Sequence, residues 1–247
     1  MDLGLEGRTA AIAGASSGLG LASARALAAE GVRVAICGRD RARIEQAAAG
    51  IDGAVPLVAD VSTPEGATGF VEAAVEAVGR VDILVPNAGG PPPGTFASTP
   101  LEAYAPALGL NLLSTVAMCR AAVPAMCERG WGRVVAITSV AVRQPIDTLI
   151  LSNTARAGVT GFLKTLAREV AGRGVTVNSV QPGLHATERL RQLYSGDTGA
   201  AAASVPAGVL GDPADFGSVV AFLCSDHARF VVGAALPVDG GTYQGLQ

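Results

Sequence analysis

Seven short, almost unbroken apolar runs leave this chain few folds to choose from. They are RTAAIAG (8–14), VRVAIC (32–37), AVPLVA (54–59), VDILVP (81–86), GRVVAITS (132–139), GVTVNSV (174–180) and AALPVD (234–239). Runs that are apolar on both faces suit strands covered on both sides, since a half-exposed strand would alternate. Alanine-rich stretches with helical spacing lie between them. Strand, helix, strand repeated in this way implies right-handed crossovers. The expected fold is therefore an α/β, Rossmann-type doubly wound parallel sheet of about seven strands, with helices on both faces. Thr63-Pro64, Thr99-Pro100 and Asp212-Pro213 mark helix starts, each offering a capping oxygen and then a proline whose missing N–H costs nothing in the first turn. Thr99 and Glu102 have the spacing of a capping box. No linker or short repeat divides the chain, so its 247 residues read as one domain, 1–247. The stretch 184–209, rich in Gly, Ala and Ser, breaks the rhythm and is expected to form a mobile insertion above the sheet on the substrate side.

Charge and cysteine usage exclude several functions. The net charge is -3 and no Lys/Arg cluster stands out, so a nucleic-acid or anionic-membrane partner is not expected. The opening MDLGLEGRTAAIAG lacks the basic region and cleavage pattern of a secretory signal. Charges, Pro or Gly interrupt each apolar run before it spans a bilayer. Cys37, Cys119, Cys127 and Cys224 form no C-x-x-C pair, and His185 and His227 are the only histidines to join them at a metal. Buried free thiols, no metal and a cytoplasmic location are the expectation.

The loop AGASSGLG (13–20) joins the first strand to the first helix. Gly14, Gly18 and Gly20 allow a tight turn, close backbone approach and close helix packing. With Ser16, Ser17 and Leu19 they present a helix N-terminus to an anion, as a dinucleotide requires. The second strand decides between cofactors. An NAD-preferring protein places an acid there for the ribose 2′-hydroxyl. That place falls on Gly38 here, and Arg39 follows with a planar fork suited to a 2′-phosphate. NADP(H) is expected in preference to NAD(H). Asp40 reads as the cap of the helix that begins near Arg41.

Further motifs follow in order: Asp60-Val61 after the third strand, PNAGG (86–90) after the fourth, Asn111 in the next helix, Ser139 ending the fifth strand, then VNSVQPG (177–183) and LPVDGG (236–241). Together they resemble the short-chain dehydrogenase/reductase family from end to end, and most closely its 3-oxoacyl-(acyl-carrier-protein) reductase-like group. The resemblance implies that Asp60 and Val61 hold the adenine. It sets Asn87, Ala88 and Gly89 beside the adenosine ribose, and Pro182, Gly183 and Thr187 beside the nicotinamide. It implies a small or acyl-carrier-linked carbonyl substrate. A homotetramer of D2 symmetry is implied too, with the long helices of Asn111 and Arg156 at one two-fold axis and the C-terminal strand and helix at another. Ala13 and Pro86 stand where the family usually has threonine and asparagine.

The larger departure is LSNTARAGV (151–159). The family's catalytic group is Asn, Ser, Tyr and Lys. Here Asn111 and Ser139 are in place, but the tyrosine and lysine positions read Ser152 and Arg156. As i and i+4 on a helix they share one face. Serine is a far poorer acid than tyrosine, and arginine stays protonated. The usual proton relay is therefore unavailable, although Arg156 with the Ser139 and Ser152 hydroxyls can still stabilise an oxyanion. A proton can come from water held by Asn111, or from His185 in the insertion. Against His185 stands the simpler reading of an exposed loop residue. Arginine at the lysine place also resembles halohydrin dehalogenases, but those keep the tyrosine and lose the glycine loop. The expected activity is an NADP-dependent reductase with an atypical catalytic group. The alternative is a catalytically silent nicotinamide-binding protein that acts through assembly or partner contact.

Overall fold

A computed structural model describes residues 1–194 and 196–246, with Leu193 described by its backbone alone. The seven apolar runs form β1 (Thr9–Ile12), β2 (Arg33–Gly38), β3 (Val55–Val58), β4 (Ile83–Val85), β5 (Gly132–Ile137), β6 (Val175–Pro182) and β7 (Ala235–Val238). They make one sheet in the order β3-β2-β1-β4-β5-β6-β7, and every neighbouring pair is parallel. The order reverses between β1 and β4, which opens a crevice at the strands' carboxyl ends.

The helices are α1 (Gly18–Ala29), α2 (Arg41–Ala49), α3 (Pro64–Val78), α4 (Tyr104–Leu108), α5 (Ser114–Arg129), α6 (Ile150–Val170), α7 (Glu188–Leu193), α8 (Thr198–Ala203) and α9 (Pro213–Cys224). One core joins α3, α5 and α6 to the sheet, through Phe70, Met118, Met126 and Leu163. The other joins α1, α2 and α9, through Leu27, Ile44 and Phe216. On α9, Gly217 lets the helix close onto α1, because a Cβ there would stand 2.5 Å from the Ala22 carbonyl. That glycine therefore serves a contact inside the chain.

Three caps form as the residues dictate. Asp40 accepts from the Arg43 amide at 2.9 Å, Thr63 from Gly66 at 3.2 Å and Asp212 from Ala214 at 2.8 Å. The Thr99–Glu102 capping box does not form: a short 3₁₀ turn, Leu101–Ala103, starts from Pro100 without a side-chain cap. The stretch Leu101–Arg129 is long and apolar enough to cross a membrane by length and composition, with mean hydropathy 1.4. This corrects the expectation that interruptions exclude such a run, although 56% of the apolar window is buried inside the protein. The stretch 184–209 contains α7 and α8, and Ser195 within it lies outside the described residues. All four cysteines are buried with free thiols, and burial pushes Cys37, Cys119 and Cys224 up to about 12.

Candidate active site

The glycine loop leaves β1 and runs into α1. Gly14 and Gly18 hold φ of 57° and 59°, a left-handed conformation that favours glycine. A Cβ on Gly20 would stand 2.5 Å from the Gly14 carbonyl, so close packing fixes that glycine as well. Asn87, from the loop after β4, donates its Nδ2 to the same carbonyl at 3.1 Å. Ser17 is the N-cap of α1 but makes no side-chain cap bond, so the helix's first amides remain available to an anion. Leu19 packs beneath them into the core.

At the end of β2, a Cβ on Gly38 would lie 3.1 Å from Ser16 Cβ and 3.3 Å from Ser16 Oγ. An acidic side chain would be crowded there. Arg39 is exposed and has no hydrogen bond or ion pair among the described residues. Asp60 accepts from the Ser62 amide at 3.0 Å, while Val61 is buried in the core. This surface follows the β1, β2 and β3 ends in turn.

Across the crevice, Asn111 sits in a π-helical turn, Gly109–Leu113, between α4 and α5. Its Nδ2 donates to the Gly89 carbonyl at 2.9 Å, and its Oδ1 is buried without a protein partner among the described residues. Ala88 packs against the α3/α5/α6 core. Ser139 leaves β5 and accepts from the Ala141 amide at 3.1 Å, which leaves its own O–H free to donate. Ser152 is buried, and its hydroxyl has no protein partner among the described residues.

Arg156 is one turn further along α6, about 6 Å in axial rise. Its Nη1 donates to the carbonyls of Ile137 at 3.2 Å and Thr138 at 3.0 Å. The reason lies in the sheet. Thr138 donates its amide to Val180, so the next donor in the parallel ladder would be the amide of residue 182. That residue is Pro182 and has none. Arg156 supplies the missing donor, one peptide from Ser139. Burial, and then the charge of Arg189, lower its pKa from 12.5 to about 10, so it remains cationic at neutral pH.

Pro182 and Gly183 close the far side. Gly183 lies so near Asp239 that a Cβ would meet its Cα at 2.8 Å. Thr187 caps α7 by accepting from Leu190 at 3.3 Å, and its Cγ2 lies against Gly18. His185 does not belong to this group, and it is not an exposed loop residue either. It is buried, with Nδ1 3.2 Å from the Gly183 carbonyl and its ring edge-on to Phe216 at 5.1 Å. Burial lowers its pKa. Sequence reasoning missed Arg189 on α7, whose guanidinium lies over Gly90. The only signal was the second glycine of PNAGG, which leaves room for that fork.

A parallel sheet of this order, with a glycine turn at its switch point and polar side chains gathered at the strands' carboxyl ends, defines a nicotinamide-type oxidoreductase class. The chain belongs to the short-chain dehydrogenase/reductase family: the family model described as enoyl-(acyl carrier protein) reductase matches residues 14–243. It is 36% identical over 242 residues to the 3-oxoacyl-(acyl-carrier-protein) reductase of Vibrio cholerae, covering 98% of this chain and 99% of the relative. The Escherichia coli protein of that name is 35% identical over 243 residues, with 98% and 99% covered. Among solved structures, L-sorbose reductase from Gluconobacter frateurii, complexed with NADPH and L-sorbose, superposes with TM-score 0.93 at 33% identity over 100% of both chains. An NADPH-bound short chain oxidoreductase from Pseudomonas aeruginosa PAO1, described as containing an atypical catalytic center, gives TM-score 0.90 at 30% identity, covering 97% of this chain and 98% of that one.

Proposed function

We propose that the protein is a cytoplasmic, NADP-dependent carbonyl reductase whose catalytic group is Asn111, Ser139, Ser152 and Arg156. The observation that carries this reading is the buried Arg156 guanidinium, one peptide from Ser139 and one helical turn from Ser152. Gly14, Ser16, Ser17, Gly18, Leu19 and Gly20 would cradle the cofactor's diphosphate, and Arg39 its 2′-phosphate. Asp60 and Val61 would meet the adenine, Asn87 to Gly89 the adjacent ribose, and Pro182, Gly183 and Thr187 the nicotinamide. NADPH, when bound, supplies a hydride to the substrate carbonyl. The relatives' names suggest a 3-oxoacyl thioester or a small ketone.

The chain's own part is charge stabilisation and proton supply. The hydroxyls of Ser139 and Ser152 donate to the carbonyl oxygen, and Arg156 lies close enough to stabilise the negative charge that develops there. Serine is too weak an acid to give up its proton outright. The buried Asn111 Oδ1 can accept from a water, whose other proton serves the alkoxide while bulk solvent returns a proton to the hydroxide left behind. His185 is withdrawn from this role by its contact with Phe216. The hydrogen bonds of Arg156 to Ile137 and Thr138 favour a second reading, a silent nicotinamide-binding protein in which this cation only finishes the sheet. NADPH oxidation against 3-oxoacyl thioesters and small ketones, beside direct NADPH binding, separates the two. Turnover supports the reductase, and binding without turnover on the whole panel supports the silent protein.

A further inference from the structure

Two arginines serve this site, Arg156 buried and Arg189 exposed, and among the described residues no acid pairs with either. Arg156 spends its Nη1 on neutral carbonyls and has no carboxylate partner among the described residues. Arg189 approaches from α7, exposed, and has no hydrogen bond or ion pair among the described residues. Its neighbour Glu188 is engaged with Arg191 at 3.1 Å. The Arg189 guanidinium lies over Gly90, so close that a Cβ there would overlap it. Gly90 adjoins Gly89, whose carbonyl holds Asn111. Arg189 is thus on the β4–β5 side of the crevice with the proposed catalytic group. The charge of Arg189 also disfavours protonation of Arg156. An unpaired guanidinium set on the loop that holds Asn111 suits an anion from outside.

We propose that Arg189 is a specificity residue that binds the carboxylate of a small oxo acid while its carbonyl faces Ser139 and Ser152. This rests on the carbonyl-reductase reading and narrows its substrate class. A planar, bidentate fork suits a carboxylate. The cofactor's diphosphate is the less fitting occupant. The free amides of α1 would hold it on the β1 side, whereas Arg189 rests on the β4 loop.

The test measures binding to the NADP⁺-saturated full-length protein by calorimetry. Pyruvate, acetoacetate and levulinate are each compared with their methyl esters, which keep the ketone and remove the charge. At least one acid is expected to bind about 10-fold or more tightly than its ester, the size of one charge-assisted hydrogen bond. Arg189→Gln should abolish that preference and leave ester and NADPH binding unchanged, and Arg189→Lys should restore part of it. The proposal is overturned if every ester binds as well as its acid. It is equally overturned if Arg189→Gln weakens NADPH rather than the acid, which assigns the residue to the cofactor. Acid binding that depends on Arg189 without NADPH oxidation of any compound sustains the anion site and sinks the reductase reading instead.

Discussion

Replacing Arg39 by alanine removes the proposed 2′-phosphate contact and little else. The side chain is exposed and has no partner among the described residues, so no internal bond is lost. Asp40 beside it is committed to the α2 cap at 2.9 Å from the Arg43 amide, which keeps that carboxylate from a rival role at the ribose. A hydrogen bond to a charged group contributes about 1.5–3 kcal/mol. Solvent exposure and salt screening place this one in the lower half of that range, about 1.5–2 kcal/mol. NADPH should then bind about 10–30-fold more weakly to Arg39→Ala. NADH should change by no more than about twofold, the effect of an ordinary surface substitution. Nicotinamide fluorescence titrations at low and high salt measure both constants, and the preference should shrink as salt rises. Equal dissociation constants for NADPH and NADH in the unmodified protein would refute the reasoning. So would an equal loss of both in the variant.

Three further outcomes are expected. Arg156→Met leaves the Ile137 and Thr138 carbonyls without this donor, at about 1–3 kcal/mol for a stranded buried group; calorimetry should show Tm falling by about 2–4 °C per kcal/mol. His185 is held neutral, with its folded pKa below 6.5, so the unfolded chain takes up the proton more readily and stability declines as pH falls below about 6.5. Denaturation curves across that window should show a smaller decline in His185→Phe, and an identical decline would argue against it. Phe230 is 98% exposed, with Phe222 41% and Leu236 40% exposed near it in sequence; this apolar group suits the proposed tetramer. Light scattering should give the tetramer mass for the native chain and a smaller one for Phe230→Glu, whereas a monomer at micromolar concentration overturns that assembly.

The strands were legible because a strand covered on both faces must be apolar throughout, and all seven runs became strands. Asp40 was legible as a cap because the chemistry is local: one carboxylate and an amide three residues on. Thr99 had the same local signal and failed, because proline here led into a 3₁₀ turn that begins one residue later. His185 shows the limit more sharply. Its loop composition suggested exposure, but Phe216, 31 positions away in sequence, buries it, and no local pattern carries that contact. Arg156 was found through a resemblance, yet its tie to the end of β5 depends on Pro182 lacking an amide, which is visible only once the β5–β6 register is known. Arg189 was missed for the same reason. Its meaning comes from lying over Gly90, a contact between the two sides of the crevice.

Restoring the family's usual pair tests whether Ser152 and Arg156 are altered machinery or scaffold. Ser152 is only 7% exposed, so a tyrosine there must displace neighbours or reach into the crevice, at a typical overpacking cost of about 1–3 kcal/mol. Lysine at 156 keeps a cation but gives up the Nη1 that meets two carbonyls, adding a smaller loss. Against a usual stability of about 5–15 kcal/mol, such losses leave most of the protein folded. A positioned general acid contributes about 10²–10⁴-fold to rate, so the gain exceeds any loss of folded population. Ser152→Tyr with Arg156→Lys should therefore create or raise carbonyl reductase activity. Tyrosine alone should do less, because arginine holds its charge in a rigid fork bound to the strand end. NADPH oxidation on the carbonyl panel gives the answer, with circular dichroism and NADPH titration confirming that each variant folds and binds. Suppose the double variant folds, binds NADPH and stays inert, while Arg156→Ala in the native chain lowers stability but leaves turnover and NADPH binding untouched. Arg156 would then be a sheet-closing residue alone, and the altered-enzyme reading would give way to the silent binding protein.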